Sequence, residues 1–206
     1  MSYAGFWRRF GAFWLDFVVL LPLTGTALWG NQQYRLFDVY YFVPRTLFGL
    51  FYSVHLVRRF GGTPGKLLAG LRIRKPDGAH IGYREAILRY LPEALLSTTM
   101  SVGFIWATLA LTDSEYLSLS YLERSKQLTA LAPSWYQPLS IILQIWIWSE
   151  FVVMMTNRKR RALHDFIAGT VVVIDAPSQP FAPAGSPERR AGAPGVAPML
   201  HRRSVS

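Results

Sequence analysis

The chain of 206 residues contains no cysteine, which excludes disulfides, thiolate nucleophiles, iron–sulfur clusters and cysteine-bound zinc. Histidine is scarce: His55, His80, His164 and His201 form no close pair at ligand spacing, so no metal centre is expected. Charge is scarce too. Asp, Glu, Lys and Arg make up 17% of the chain, where a soluble domain carries about 25%. Acids are the rarer sign, twelve against twenty-two Lys and Arg, leaving a net charge of +10. No internal repeat is visible, which argues against an inverted-repeat transporter.

Apolar residues are abundant, with 51% hydrophobic and 15% aromatic. They gather into runs long enough to cross a bilayer, which takes about 20 mostly apolar residues. Four spans are expected, at residues 10–29, 39–57, 87–111 and 139–155. A cleaved leader does not fit residues 1–29, because the apolar stretch is too long, holds Asp16 and lacks an A-x-A-like exit. The basic residues set the direction. Arg8 and Arg9 precede the first span, and Arg58 to Arg89 lie between the second and third. Arg158 to Arg161 and the later arginines follow the fourth. The opposite loops hold only Arg35, Arg124 and Lys126. Both termini are therefore expected in the cytoplasm. The positive charge is a topology signal rather than a nucleic-acid footprint, with anionic lipid as the partner expected at NRKRRALH.

Thr112 and Glu115 have capping-box spacing at the head of an amphipathic interfacial helix in the outer loop. Residues 176–206, rich in Pro, Ala, Gly and Ser, are expected to be a disordered cytoplasmic tail. On the cytoplasmic side, GGTPGKLLAGLRIRKPDGAHI is the most distinctive stretch. Gly61, Gly62 and Gly65 give freedom around Pro64, and Lys66 opens a short apolar turn. Leu67 after Lys66 breaks the Walker A pattern, so nucleotide binding is not expected. LRIRKPDGAHI predicts a hairpin around Pro76, Asp77 and Gly78, and GTVVVID (169–175) is a further strand that could join it.

Together, GFWRRFGAFWLD, GGTPGKLLAGLRIRKPDG and RRALHDFIAGTVVV resemble the RDD family of bacterial membrane proteins, over roughly residues 3–175. Arg9, Asp16 and Asp165 stand at the places of the arginine and two aspartates that name the family. The resemblance implies a multi-span inner-membrane protein whose suspected role is transport.

The sequence thus predicts an all-α, four-helix membrane bundle over residues 1–175 with a small cytoplasmic β-hairpin element. Its chemical question is Asp16, set in FGAFWLDFVVLLPL. A charged residue at the centre of a span costs about 2.5 to 3.5 kcal/mol on insertion scales, so it needs a partner. Arg9 lies seven residues before it, on the same helix face but about 10 Å away along the axis, too far for a direct bond. Glu93 and Arg89 on the third span and Glu150 on the fourth fall at comparable depth. Two readings stay open. In one, Asp16 pairs with Arg89 and merely fixes helix register. In the other, Asp16, Arg89, Glu93 and Glu150 converge into a proton- or cation-binding site, as intramembrane acids often do. Arg45 has no acid at its depth and is expected to face the bundle or snorkel outward. Asp165 is expected to cap a turn or pair with Arg9, Arg72 or Arg74. His164-Asp165 lacks a nucleophile, so no catalytic residue, cofactor or enzymatic activity is expected.

The leading expectation is a small-ion or small-solute transporter, working as a homo-oligomer or with a membrane partner because four spans enclose little volume. The alternative is a scaffold or assembly factor that docks a partner through the GGTPGK-to-KPDG segment.

Overall fold

The computed structural model describes residues 2–175; the expected tail, residues 176–206, lies outside them. The described chain is mostly helical. Helix α1 (Phe6–Gln33) contains Pro22. Helix α2 (Phe37–Leu50) passes without a break into a π-helical turn (Phe51–His55) and α3 (Leu56–Phe60). Gly61, in the left-handed region at φ 80°, then ends the run and returns its N–H to Val57. A short helix α4 (Pro64–Leu68) and strand β1 (Leu71–Arg74) come next. The long helix α5 (Tyr83–Leu109) leads to α6 (Asp113–Ser118), α7 (Tyr121–Leu131) and α8 (Tyr136–Thr156). Helix α9 (Leu163–Ala168) and strand β2 (Val171–Ile174) close the described chain.

Among the described residues, only α1 and α8 are both long and apolar enough throughout to cross a membrane, and almost none of their apolar windows is buried within the protein. Helix α5 has the length, but Arg84, Glu85, Arg89 and Glu93 occupy its first half. Segment 37–60 is continuous, but its π-helical turn leaves no single α-helix in it of spanning length. Outward faces of α1 and α8 carry Phe13, Trp14, Val18, Ile141, Ile145 and Trp148, the last 67% exposed. So much exposed apolar surface is the mark of a lipid-facing wall or a large interface.

At one end of the helices lies a compact polar-capped layer. Leu71, Ile73 and Val172 are fully buried there with Ala4, Ala12, Val54, Val57 and Ala86. The expected hairpin is corrected in this layer. Strand β1 pairs antiparallel with β2, Leu71 opposite Ile174 and Arg74 opposite Val171. The turn at Pro76–Ala79 forms, held by Gly78 N–H to Lys75 O and Ala79 N–H to Asp77 Oδ1, both 2.9 Å. Beyond it the second strand shrinks to a single bridge between Arg74 and His80. The β-branched run VVVI outcompetes AHI because it can be buried on both faces, and Val171 and Val172 are. Tyr3 bridges to Val173 on the free side of β2.

At the opposite end, the single amphipathic helix expected after Thr112 is two. Each starts with its own capping box, Thr112 with Glu115 and Ser120 with Glu123. Arg124 stacks on Tyr116, 4.2 Å from the ring centroid, and donates to Asn31 O at the end of α1. Arg35 binds Asp113 and the carbonyl of Thr108. These contacts bind the loop helices to the ends of α1 and α5.

Candidate functional site

Asp16 is held by the GGTPGK segment and the π-helical turn. Helix α4 begins with Thr63 in extended conformation and Pro64 at its first helical position, a favoured helix start. Its free N–H groups point at α1. Gly65 N–H donates to Asp16 Oδ1 at 2.7 Å, Thr63 Oγ1 donates to Oδ2 at 2.5 Å, and Tyr52 Oη donates to Oδ1 at 2.5 Å. Lys66 Nζ stands 3.9 Å from Oδ2. A carboxylate with three donors and a cation nearby has replaced its hydration shell. Close approach of α4 requires glycine at 65: a Cβ there would lie 2.4 Å from Asp16 N and 2.5 Å from Ala12 O. Ala12 is fully buried beneath it. The π-helical turn adds a residue to the local register and carries Tyr52 to this carboxylate.

Arg9, one face-sharing step earlier on α1, has a different partner. Its Nη1 donates to Asp165 Oδ2 at 2.8 Å. Arg89 of α5 donates from Nη1 to Asp165 Oδ1 and to Thr170 Oγ1, the latter at 2.7 Å. Asp165 also caps α9, accepting from Ala162 N–H at 3.0 Å, while Thr170 Oγ1 reaches Oδ1 at 3.2 Å. The carboxylate is 0% exposed, between two guanidinium groups that are themselves nearly buried. Burial alone would raise its pKa. The guanidinium groups of Arg89 and Arg9 outweigh burial and hold the carboxyl well below the usual carboxylate range. Gly169, left-handed at φ 65°, turns the chain out of α9 into β2 and brings Thr170 under the cluster.

His164 extends the network. Arg89 Nη2 lies 2.7 Å from its Nε2, and its Nδ1 contacts Glu150. Arginine is only a donor, so Nε2 must accept; Nδ1 then carries the proton and donates to Glu150. Lys66 stands between the Asp16 and Asp165 clusters. Packing drives its pKa down, while Asp16 opposes that shift.

The positions corresponding to Arg9, Asp16 and Asp165 thus build two separate clamps, and neither expected arrangement of the intramembrane charges is present. Asp16 does not pair with Arg89, which is committed to Asp165. Nor do Asp16, Arg89, Glu93 and Glu150 converge on one open site: Asp16 faces α4, and Glu150 is bound to His164. Asp16 is instead turned onto α4 and the π-helical turn, whose Thr63, Gly65 and Tyr52 occupy both of its oxygens. Arg72 binds Asp175 (2.5 Å) and Phe60 O (2.8 Å), leaving Asp165 to Arg9. Of the GGTPGK-to-KPDG residues, Gly61, Gly62 and Gly65 are buried and Pro64 and Lys66 partly so, while Asp77 stands exposed at the turn.

Glu93 opens elsewhere. It lines a cavity of about 430 Å³ between α1, α2, the π-helical turn and α5. Thr24, Tyr41, Tyr52, Tyr90 and Ser97 share its wall, as does Arg45, which donates to Ser101 Oγ. Among the described residues neither Glu93 nor Arg45 makes an ion pair. Tyr52 joins the two features, with its ring on the cavity and its hydroxyl on Asp16. Sequence reasoning missed Tyr52, Thr63 and Thr170 because all are uncharged. Thr63-Pro64 was the available signal, since a Thr N-cap and Pro at the first helical position announce a helix start that favours an anion.

Apolar helices with bare outward faces, charges turned inward and a polar cavity define a helical membrane protein. The particular family emerges from comparison: the RDD family model matches residues 3–169, and the chain belongs to that family of membrane proteins. No curated protein and no solved structure gives a significant match.

Proposed function

We propose that this protein is a transporter of a small ion or solute in the bacterial inner membrane. Its four crossings are α1, the continuous segment 37–60, α5 and α8. The β1–β2 layer and both ends of residues 1–175 lie in the cytoplasm, and the chain works as a homo-oligomer or with a membrane partner. The cavity carries the proposal. A site of about 430 Å³ is within the range for small-molecule pockets, and intramembrane Glu and Arg facing a cavity mark substrate or ion pathways. Glu93 enters about 15 Å along α5 from Tyr83, and Ser101, the partner of Arg45, about 27 Å along it. The cavity therefore spans the middle of the bundle, with an acidic side chain toward one end and a basic one toward the other. The partner-docking alternative draws less support, because Gly61 to Lys66 is packed into the fold against α1.

Flux into proteoliposomes under a proton or cation gradient is the test. The expected result is transport by the parent protein that Glu93→Gln and Arg45→Gln each abolish while folding is retained. No flux with the pure protein, or wild-type rates in both variants, overturns the proposal. Orientation is tested by single cysteines, which the cysteine-free chain allows directly. An impermeant maleimide applied from outside should label Ser118→Cys and leave Ala79→Cys unreacted.

A further inference from the structure

A second cavity, of about 550 Å³, opens where the start of α1 meets the end of α8. Its apolar wall is Phe6, Trp7, Met154 and Met155, and its polar wall includes Arg8 and Arg160. Trp7 is 79% exposed and Met155 64%. The site lies at the basic end of the bundle, where aromatic rings and arginines meet headgroups.

Arg160 adopts a conformation that its sequence does not favour. Among the described residues it is the one non-glycine with positive φ, at 48°, in the left-handed region that a side chain with Cβ rarely enters. Asn157 holds it there. Arg160 N–H bonds to Asn157 O at 3.0 Å, Arg161 N–H to Asn157 Oδ1 at 2.8 Å, and Asn157 Nδ2 to Arg161 O at 2.7 Å. The resulting turn lays the Arg160 guanidinium over Gly5, where a Cβ would come within 2.4 Å of Nη1. Gly5 thus supplies space for the guanidinium. Among the described residues no carboxylate pairs with Arg160 or Arg8. A backbone strained to aim an unpaired guanidinium into an amphipathic cavity points to an anion with an apolar tail.

We propose that this cavity binds an anionic phospholipid of the cytoplasmic leaflet, its phosphate between Arg8 and Arg160 and an acyl chain along Met154, Met155 and Trp7. The geometry suits a phosphate ester, which guanidinium groups bind through paired N–H donors. It rests on the membrane orientation proposed above but not on transport.

The test is native mass spectrometry of the full-length protein from nanodiscs containing equal phosphatidylglycerol and phosphatidylcholine. Retained phosphatidylglycerol should exceed phosphatidylcholine. Arg160→Gly, which relieves the backbone strain and so preserves folding, should lower that preference about fivefold, as should Arg8→Gln, at the roughly 1 kcal/mol per arginine typical near an anionic surface. Gly5→Ala should weaken it by displacing the guanidinium. Equal retention of both lipids by the parent protein, or an unchanged preference in Arg160→Gly, overturns the inference. Complete displacement of phosphatidylglycerol by millimolar inorganic phosphate also overturns it, assigning the site to a free anion. None of these results bears on proteoliposome flux, so the two proposals fail separately.

Discussion

Replacing Asp165 by Asn keeps its shape and removes its charge, and the cost can be worked out from the four donors around it. Both carboxylate oxygens accept two donors: Oδ1 from Arg89 and Thr170, Oδ2 from Arg9 and Ala162 N–H. An amide offers one acceptor oxygen, and its NH₂ must face the other pair. If the NH₂ faces Arg9 and Ala162, donor meets donor twice. In the flipped orientation it faces Arg89, and only the Thr170 hydroxyl can rotate to accept. Either way a nearly buried guanidinium loses its counter-charge, and breaking a buried pair in that manner costs about 3–5 kcal/mol. For a unit of this size that corresponds to a Tm lower by about 6–20 °C. Thermal unfolding monitored by intrinsic tryptophan fluorescence in mild detergent measures it. A double-mutant cycle with Arg9→Gln should be strongly non-additive, since the second change removes a charge that the first had stranded. A loss under about 1 kcal/mol for Asp165→Asn, or strict additivity, would refute the buried-cluster account.

The same contacts set further expected outcomes. Asp16→Asn should be far milder, about 1–2 kcal/mol, because Oδ1 can still accept from Tyr52 and Gly65 while the Thr63 hydroxyl reverses to accept from the new NH₂; a Tm loss equal to that of Asp165→Asn would contradict this. Gly65→Ala should lift α4 from α1, since the new Cβ meets backbone atoms that cannot yield, and faster proteolysis of residues 61–80 is the readout. Arg9→Lys should be better tolerated than Arg89→Lys: Arg9 gives Asp165 a single Nη1, whereas Arg89 binds Asp165, Thr170 and His164 through two nitrogens. Acid should act through Asp165. Its folded pKa is depressed, so the unfolded chain takes up the proton first, near pH 4; the cluster's stability is fully present above that pH and declines as pH falls below it. The Tm difference between the parent and Asp165→Asn should therefore shrink between about pH 4 and pH 2, and a constant difference would contradict the assignment.

Much of the helical layout was legible because apolar runs and caps are local. The run around Asp16, the Thr112 capping box, the turn at Asp77-Gly78 and the strand character of GTVVVID each depend on a few adjacent residues. Arg9 with Asp165 was reachable as one of several pairings, since charges inside a bundle must find each other. The true partners of Asp16 were not. Tyr52 reaches it through a π-helical turn, and one residue of extra register rotates every later side chain by about 100°. Thr63 and Gly65 reach it because α4 folds back upon α1, a tertiary decision that depends on the missing side chain at Gly65. The β1–β2 pairing failed to show for a similar reason: proximity favoured AHI as the partner of LRIR, whereas burial favoured the distant VVVI. The convergence expected of the four intramembrane charges assumed that depth alone brings residues together. Azimuth around the helix decides it, and the azimuth of Asp16 faces α4.

This division changes how loss-of-function variants at Arg9, Asp16 and Asp165 should be interpreted. All three side chains are spent on partners inside the fold, with Asp165 clamping α1, α5 and α9 and Asp16 fastening α4 to α1. Variants at these positions act first on assembly of the β1–β2 layer and the helices packed on it, so lost activity there says little about the proposed transport. Glu93 and Arg45 are different. They face a cavity, make no ion pair among the described residues, and can be neutralised without stranding a buried partner. Replacing an unpaired buried ionisable group by a neutral amide should leave folding unchanged or improve it. Activity lost in Glu93→Gln with stability held or raised would therefore separate function from architecture, a distinction that no substitution at the three motif positions can make.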